Sequence, residues 1–428
     1  MGLISVSMNT KTTKRALIIA FHFPPQAGSS GIQRTLSFSK YLRRHGWEPV
    51  VLSAHPRAYS QQNPSQLSAI PADMVVQRAF ALDAKHHMGI KGRYLELTAL
   101  PDRWISWTLG AVPAGLSLIR KYRPQVIWST FPIATAHLIG LFLHRITGLP
   151  WVADFRDPML QPAYPTSRLP RAMYAWIERH TIERCHTAVF TTHSACDSYR
   201  KRFSTLPAEK FQVIENGYDE EGFGEAVIPP VSDKRSVKQR LTLLHSGVLY
   251  QTGRNPSPFL QAVAALKQQQ GFDANSLRIV LRAPGDVEKV SELVSNAGVS
   301  DIVDVLPPLP YAAALEEMLT VDGLMVFQGK QFNTQIPAKV YEYFRARKPV
   351  LGLVSINGET AHVLRQAGFH DIADMDSTQS ITPVLADFIE KIRQGSAHVA
   401  SETLILASSR QQRAGELAGL FDAAALKA

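Results

Sequence analysis

Residues 321–354 read VDGLMVFQGKQFNTQIPAKVYEYFRARKPVLGLV and predict one βαβ unit of a parallel sheet. Two apolar runs, 323–327 and 350–354, have the length and composition of buried strands. The helix between them is expected to begin at Pro337, where a missing N–H costs nothing, and to end just before Pro349. Since parallel sheets place ligands at the carboxyl ends of their strands, the polar loop after the first strand is a candidate binding segment.

Lys339 and Glu342 lie three residues apart, so they share one face of this helix near its start. A lysine beside the positive end of the helix dipole suits a phosphate. A carboxylate one turn further along suits the vicinal hydroxyls of a ribose. The alternative interpretation is an ordinary salt bridge on the helix surface, and the spacing of the two residues does not decide between them.

The chain has 428 residues, which is long for one core and predicts two or three domains. Its charge is unevenly placed. Residues 1–215 hold 26 Lys and Arg against 12 Asp and Glu, a net charge of +14, and residues 216–428 hold 20 against 24. The basic first half favours an anionic surface or acceptor. Nucleic acid is the competing partner, but the sequence has no helix-turn-helix, RNP or zinc module, so we expect no nucleic-acid binding.

Cys185 and Cys196 are the only cysteines, and they form no CxxC or metal-binding spacing, which favours a reducing, cytoplasmic compartment. The N-terminus lacks the apolar core of a signal peptide. The longest uncharged apolar run, 104–119, has 16 residues and contains a proline, so it is too short for a membrane span. Trp104 and Trp107 in this run fit either a membrane interface or, more commonly, core packing.

A glycine-containing loop follows the first predicted strand, 15–21. Its Gly28 and Gly31 allow the backbone to approach a ligand at the start of the next helix. A simple tight turn is the alternative. The loop is not GxGxxG and no acidic residue follows the second strand, so a dinucleotide site is not predicted.

A polar cluster, Asp154-Phe155-Arg156-Asp157, ends another predicted strand, 151–153. Two carboxylates and a guanidinium at a strand exit lie where α/β enzymes carry out chemistry. The alternative is a self-neutralising salt-bridge cluster that fastens the loop.

The same pattern restarts in the second half at the predicted strand 241–245. Gly247 turns the chain after this strand and Arg254 precedes the next helix, which makes a second candidate phosphate site. We therefore predict the α/β class with two doubly wound, Rossmann-like domains. Their expected limits are 1–219 for the N-terminal domain, 220–240 for a linker, 241–400 for the C-terminal domain and 401–428 for a final helix.

Five stretches, in this order, resemble the GT-B glycosyltransferases, specifically the family 4-like retaining enzymes that build bacterial surface polysaccharides. They are FHFPPQAGSSGIQR, LPWVADFRDPM, VIENGYD, LLHSGVLY and IPAKVYEYFRARKPVLGL. The resemblance covers residues 16–421. It implies two Rossmann-like domains facing across a cleft, of which the second binds a nucleotide-sugar donor and the first binds the acceptor. It also implies a last helix that crosses back to the N-terminal domain.

By this resemblance, Glu342 is the second glutamate of the family's E-x7-E motif and binds the donor ribose. The first glutamate of the motif falls at Thr334, so the motif is incomplete. Asn333, Thr334 and Gln335 offer amide and hydroxyl groups that are candidates to replace it.

The resemblance also assigns a set of residues to the donor phosphates. They are Gly28, Gly31, Gly247, Arg254 and Lys339. Arg156 and Asp157 line up with the segment that lies over the sugar, and we include Asp154 beside them as a third candidate catalytic residue.

We expect no metal and no cofactor besides the nucleotide sugar. Asp374-Met375-Asp376 spells the DxD metal motif of another glycosyltransferase fold, but so short a motif often occurs by chance and the GT-B fold generally needs no metal. The expected function is hexosyl transfer to a saccharide or lipid-linked acceptor, in the cytoplasm and peripherally at the anionic inner face of the membrane. The alternatives are a nucleotide-sugar epimerase of the same fold and a non-catalytic polyanion-binding protein.

Overall fold

The computed structural model describes residues 13–28, 31–87, 99–161, 164–224, 240–250, 252–269 and 272–426. They form two compact units. Unit 1 contains the described residues of Met1–Phe190, Tyr199–Ile214 and Ala414–Ala428, and unit 2 those of Thr191–Ser198 and Glu215–Arg413. Most of the predicted linker, 225–239, lies outside the described residues.

The described residues of unit 1 form a seven-stranded sheet with the order β3-β2-β1-β4-β5-β6-β7. Every neighbouring pair in it is parallel. The strands are β1 (Lys14–Ile19), β2 (Trp47–Ala54), β3 (Val75–Ala79), β4 (Val126–Thr130), β5 (Trp151–Arg156), β6 (Thr187–Phe190) and β7 (Phe211–Val213).

Unit 2 contains a second parallel sheet, with the order β10-β9-β8-β11-β12-β13 among the residues that are described. Its strands are β8 (Leu241–Ser246), β9 (Leu277–Arg282), β10 (Val303–Leu306), β11 (Gly323–Gln328), β12 (Val350–Val354) and β13 (Ile372–Asp374). Both sheets start from a central strand, extend to one edge and then return to the other side, which is the Rossmann strand order. The predicted α/β class with two Rossmann-like domains is confirmed.

Helices connect the strands of both sheets. Those of the first half are α1 (Gly31–Tyr41), α2 (Ala84–His87), α3 (Trp107–Tyr122), α4 (Ala134–Thr147), α5 (Arg168–Arg184), α6 (His193–Arg202) and α7 (Glu220–Phe223). Those of the second half are α8 (Ser257–Lys267), α9 (Val287–Asn296), α10 (Tyr311–Thr320), α11 (Lys339–Arg345), α12 (Glu359–Gln366), α13 (Thr378–Gln394), α14 (Glu402–Ala407) and α15 (Arg410–Ala425).

Apolar side chains cover both faces of the unit 2 sheet. Leu243 and Leu244 are neighbours on β8 and are both fully buried, but they belong to separate hydrophobic clusters. Successive side chains of a strand point to opposite faces, so one cluster lies on each face of the sheet. This explains why the strand sequences are continuous apolar runs rather than alternating ones.

The βαβ unit at 321–354 forms where it was predicted, but its helix is shorter. Its strands begin and end within one residue of the predicted limits. Helix α11 begins at Lys339, two residues after the predicted start at Pro337, and ends at Arg345, before the predicted stop at Pro349. Arg347 adopts a left-handed conformation with φ of 52°, which cannot continue a helix.

The final predicted helix is instead two helices, α14 and α15, and the residues from Ala414 onward belong to unit 1. The Phe421 ring packs edge-on against Trp47, with 5.3 Å between the ring centroids. The carboxylate of Asp422 accepts hydrogen bonds from the Trp47 indole at 3.1 Å and from Lys14 at 2.5 Å. The end of the chain therefore completes the core of unit 1.

The membrane-interface interpretation of Trp107 is wrong. This side chain is fully buried at the start of α3, and its ring centroid lies 5.6 Å from that of Phe21. Trp104 also packs on Phe21, at 4.7 Å, and its indole donates to the Ala58 carbonyl at 3.0 Å. No helix in the described part of the chain has both the length and the apolar character to span a membrane.

Candidate functional site

The strand order of unit 2 has a topological switch point between β8 and β11. The connections of these neighbouring strands run in opposite directions, to β9 and to β12. Ligands of doubly wound sheets bind at this switch point. Gly247 follows β8 and Gln328 ends β11, which places the candidate residues of unit 2 around it.

Gly247 and Lys339 are in direct contact at this point. Gly247 has a φ of 144°, and a Cβ atom on it would lie 2.0 Å from the Lys339 ammonium nitrogen. That nitrogen donates a hydrogen bond to the Ser246 carbonyl at 2.5 Å. Only glycine therefore fits beside the lysine, and the sequence predictions for these two residues meet in one place.

The Lys339 ammonium has no carboxylate within ion-pair distance among the described residues. Burial and, to a smaller extent, the nearby Arg254 guanidinium lower its pKa to about 7, and the charge of Glu342 opposes this shift. A buried cation next to another cation is unfavourable unless an anion joins them. The arrangement is suited to a bound anion.

Arg254 is oriented by a residue that the sequence analysis missed. Its Nε and Nη2 atoms donate to Oε1 of Gln328 at 3.1 and 2.8 Å. The guanidinium also lies 5.4 Å from the ring centroid of Tyr250 and 5.7 Å from that of Phe332. The Gln328 side chain is only 2% exposed. The sequence feature that could have identified it is a single amide residue at the end of the apolar run GLMVF.

The segment 333–335 is held through its backbone. The Asn333 carbonyl accepts from the Glu359 N–H at 2.8 Å, and the Thr334 carbonyl accepts from the Thr192 hydroxyl at 2.7 Å. The Gln335 carbonyl accepts from Thr360 at 3.1 Å. The Thr334 side chain is exposed, and the buried Asn333 Oδ1 takes no hydrogen bond from the described residues. The predicted sugar-facing segment thus has a fixed backbone and an exposed Thr334 side chain.

Glu342 lies on α11 one turn beyond Lys339, as predicted. Its Oε1 atom accepts a hydrogen bond from the Tyr311 hydroxyl at 2.9 Å. Tyr311 is a second residue that the sequence analysis did not identify, because it belongs to a different connection of the sheet.

In unit 1, Asp154 is enclosed within β5, which extends to Arg156 and not only to the predicted end at residue 153. Its two oxygens accept from the Nε and Nη2 atoms of Arg34 at 3.0 Å each, and Oδ2 also accepts from Thr130 at 3.0 Å. Asp154 is fully buried and Arg34 is 3% exposed. The carboxylate has the bidentate partner expected of a structural salt bridge, so we do not place Asp154 among the reacting groups.

Arg156 and Asp157 follow at the strand exit. Arg156 has a φ of 57°, unusual for a residue other than glycine, and its Nη1 atom lies 3.4 Å from the Phe131 carbonyl. Burial raises the pKa of Asp157, while the charge of Arg156 opposes that shift. Burial and the same arginine lower the pKa of His22 to about 3. The ends of β1, β4 and β5 thus bring polar groups together.

The glycine loop of unit 1 is described up to Gly28 and again from Gly31. Gly28 has a φ of 82°, and a Cβ atom there would lie 2.3 Å from Oε1 of Gln61. Gly31 is the buried first residue of α1. The geometry at Gly28 requires a glycine for the turn itself.

The glycine turn before α1 and the polar exit from β5 lie in two of the five stretches that carry the family resemblance. Residues 30–217 match the family described as Glycosyl transferase 4-like domain. The glycosyl transferase 4-like segment thus contains the exit of β5 with Arg156 and Asp157. No curated protein shows significant sequence similarity to the chain.

Solved structures extend the similarity to both units. Anabaena Alr3699/HepE in complex with UDP superimposes with a TM-score of 0.64 at 12% identity, covering 96% of this chain and 100% of that one. WaaG, a glycosyltransferase involved in lipopolysaccharide biosynthesis, gives 0.59 at 15% identity, covering 95% and 99%. A UDP-N-acetylglucosamine 2-epimerase gives 0.50 at 12% identity, covering 94% of each chain. At these identities the likeness shows the fold, which is that of GT-B glycosyltransferases.

The structure groups no three His, Cys, Asp or Glu side chains in a metal-binding arrangement among its described residues. Asp374, from the DxD sequence, ends β13, and its side chain accepts the backbone N–H of Asp376 at 3.1 Å. This is the local bond of a turn-forming aspartate.

Proposed function

We propose that the protein is a glycosyltransferase that moves a hexosyl group from a nucleotide sugar to a saccharide or lipid-linked acceptor. We further propose that the transfer retains the anomeric configuration and serves the synthesis of a cell-surface polysaccharide. The observation that carries the proposal is the pair of cations, Lys339 and Arg254, near the switch point of the unit 2 sheet. The match of residues 30–217 to a glycosyltransferase domain supports transfer as the reaction.

Unit 2 is the donor-binding unit in this proposal. Lys339 and Arg254 bind the diphosphate, next to the backbone of Gly247, and Glu342 binds the ribose. As the bond to the sugar breaks, negative charge increases on the leaving diphosphate. Two oriented cations in a partly desolvated site stabilise that charge more than they stabilise the ground state.

Asn333, Thr334 and Gln335 face the donor sugar in this proposal. Neutral amide and hydroxyl groups replace the carboxylate that the family has at Thr334. They retain hydrogen bonds to sugar hydroxyls without adding a negative charge beside the diphosphate.

Unit 1 is the acceptor-binding unit. Arg156 and Asp157 take part in the transfer step, and the Asp157 carboxyl, with its raised pKa, is suited to share the proton of an acceptor hydroxyl. Asp154 and Arg34 fix the strand end that carries them. The loop with Gly28 and Gly31 contributes backbone groups to the donor phosphates.

A surface of unit 1 suits an anionic membrane that carries a lipid-linked acceptor. Helices α3, α4 and α5 pack side by side. Their outward apolar side chains, which we call the α3–α5 face, are Leu109, Phe142, Ile146, Leu169 and Trp176. Exposed basic residues accompany them, at Arg120, Arg145 and Arg168. Apolar side chains with a basic surround are the pattern of proteins that lie at a lipid surface.

A panel of nucleotide sugars in a thermal-shift assay tests the donor site. A true donor at about 100 times its dissociation constant stabilises the folded state by about 2.7 kcal/mol. We expect stabilisation by one nucleotide sugar in the wild type and a reduced effect in Lys339→Ala and Glu342→Ala. Stabilisation by none would reject the proposal. Conversion of the bound donor to its epimer without an acceptor would instead identify an epimerase.

A further inference from the structure

Tyr311 reaches the candidate ribose site from a separate part of unit 2. It begins α10, which follows β10 at the edge of the sheet, whereas Glu342 lies on α11 after β11. The two residues are 31 positions apart, and the Tyr311 hydroxyl lies 2.9 Å from Oε1 of Glu342.

The position of the Tyr311 ring depends on Gly222 in α7. A Cβ atom at Gly222 would lie 3.1 Å from Cε1 of Tyr311 and 3.3 Å from Cδ1 of Leu315. Both distances are tighter than ordinary contacts, so the glycine leaves the space that the ring occupies. The ring is 38% exposed, its covered side lies against α7 at Gly222, and its hydroxyl is directed to the Glu342 carboxylate.

The hydrogen bond makes the two oxygens of the Glu342 carboxylate inequivalent. Oε1 is occupied by Tyr311, and Oε2 accepts no hydrogen bond from the described residues. A glutamate side chain has three rotatable bonds, and a fixed partner on one oxygen restricts the position of the other. A restricted acceptor binds a ligand hydroxyl more tightly than a mobile one, because less freedom is lost on binding.

We propose that Tyr311 is a positioning residue that holds Glu342 toward the hydroxyls of the donor ribose. The pair makes the site select ribonucleotides over 2′-deoxyribonucleotides. This inference rests on the proposed donor site and specifies the class of donor that the site accepts.

Calorimetry with paired ligands tests this selection. The probes are UDP, GDP and ADP, each with its 2′-deoxy counterpart. We expect the wild-type protein to bind one ribonucleotide at least about tenfold more tightly than its deoxy form, as for a hydrogen bond to a charged group. In Tyr311→Phe, we expect weaker binding of the ribonucleotide and a smaller loss for the deoxynucleotide, which keeps only the 3′-hydroxyl. The ratio of the deoxynucleotide Kd to the ribonucleotide Kd therefore falls severalfold. A substitution that only destabilises the fold would weaken the binding of both ligands equally.

Four further variants separate positioning from folding. Glu342→Ala removes the acceptor and should abolish the discrimination, and adding Tyr311→Phe to it should change the ratio no further. Gly222→Ala keeps both side chains but displaces the ring, so it should lower the ratio in the same direction. Tyr164→Phe removes the hydroxyl of an exposed tyrosine in unit 1 and should leave the ratio unchanged.

The outcomes also separate this inference from the proposed function. Binding of a ribonucleotide with a wild-type ratio in Tyr311→Phe would overturn the role of Tyr311 and leave the donor site standing. Equal affinity of the wild type for a ribonucleotide and its 2′-deoxy counterpart would also overturn the role of Tyr311 and leave the donor site standing. If the wild type binds none of the nucleotides, the donor site fails, and the inference fails with it.

Discussion

The ammonium group of Lys339 combines three features: burial, a carbonyl acceptor on Ser246 and a neighbouring Arg254. Because its pKa is lowered to about 7, this group titrates near neutral pH when no ligand is bound. A bound diphosphate favours the charged form. Donor binding above pH 7 is therefore expected to take up a proton at this lysine.

We predict that affinity for the donor falls as pH rises above 7. The slope approaches tenfold per pH unit, the value for one linked proton. Calorimetry at pH 6, 7 and 8 measures it, with the nucleotide sugar that the thermal-shift panel selects, whose diphosphate diester does not titrate in this range. Lys339→Arg is the matched control, because arginine stays charged and should give a flat profile. A falling profile that persists in Lys339→Arg would assign the linkage to another group.

Asp154 and Asp157 are expected to respond to mutation in opposite ways. Asp154→Ala removes the carboxylate partner of the buried Arg34 and should lower the free energy of unfolding by about 3–5 kcal/mol. Asp157→Ala, at a partly exposed position, should cost less than about 1 kcal/mol yet impair transfer. Urea denaturation and an activity assay measure the two effects. Equal destabilisation by both substitutions would contradict the structural role of Asp154.

At the scale of elements, the apolar runs of β11 and β12 could be located from sequence because fully buried parallel strands contain almost nothing else. The end of α11 could not, since it depends on the left-handed conformation of Arg347, a residue type that does not usually signal a stop. Contacts between elements also could not be predicted from the sequence. Lys339 meets Ser246 over a separation of 93 residues, which no local pattern encodes.

Helix α3 contains one fully buried and one exposed apolar side chain, and mutations at the two positions should have different effects. Trp107→Ala should lower the thermal stability of unit 1, with a cost of about 3–5 kcal/mol, because it removes a fully buried ring. Leu109, two residues further on, is 74% exposed. Leu109→Ser combined with Ile146→Ser should leave the melting temperature nearly unchanged and weaken binding to anionic vesicles. Unaltered vesicle binding in this double variant would exclude the α3–α5 face as the contact surface.

The net charge of the whole molecule is +10, because the first 215 residues carry +14 and the remaining residues carry −4. Each Lys or Arg near an anionic membrane contributes about 1 kcal/mol to binding. This attraction falls off within a Debye length, which salt shortens. We predict co-sedimentation with vesicles that contain anionic lipid and release by high salt. Equal partitioning onto neutral vesicles, or no binding to either kind, would indicate an acceptor that is not membrane-bound.

Transfer should not depend on a divalent metal. Lys339 and Arg254 already supply positive charge for the leaving diphosphate in the proposed mechanism. Activity is therefore expected to survive EDTA, and Asp374→Asn should behave like the wild type. Loss of turnover on chelation, with recovery on adding manganese, would contradict this and make Asp374 and Asp376 candidate metal ligands.

The return of the last residues to unit 1 has a consequence during synthesis on the ribosome. Trp47 and Asp422, which are hydrogen-bonded in the finished protein, are 375 residues apart. At about 5–20 residues per second, Trp47 waits roughly 20 to 75 s for its partner to be made. Throughout that time the surface that α15 later covers is open on the nascent chain. The first unit to be translated is thus among the last to be completed, and chaperones have their longest access to it.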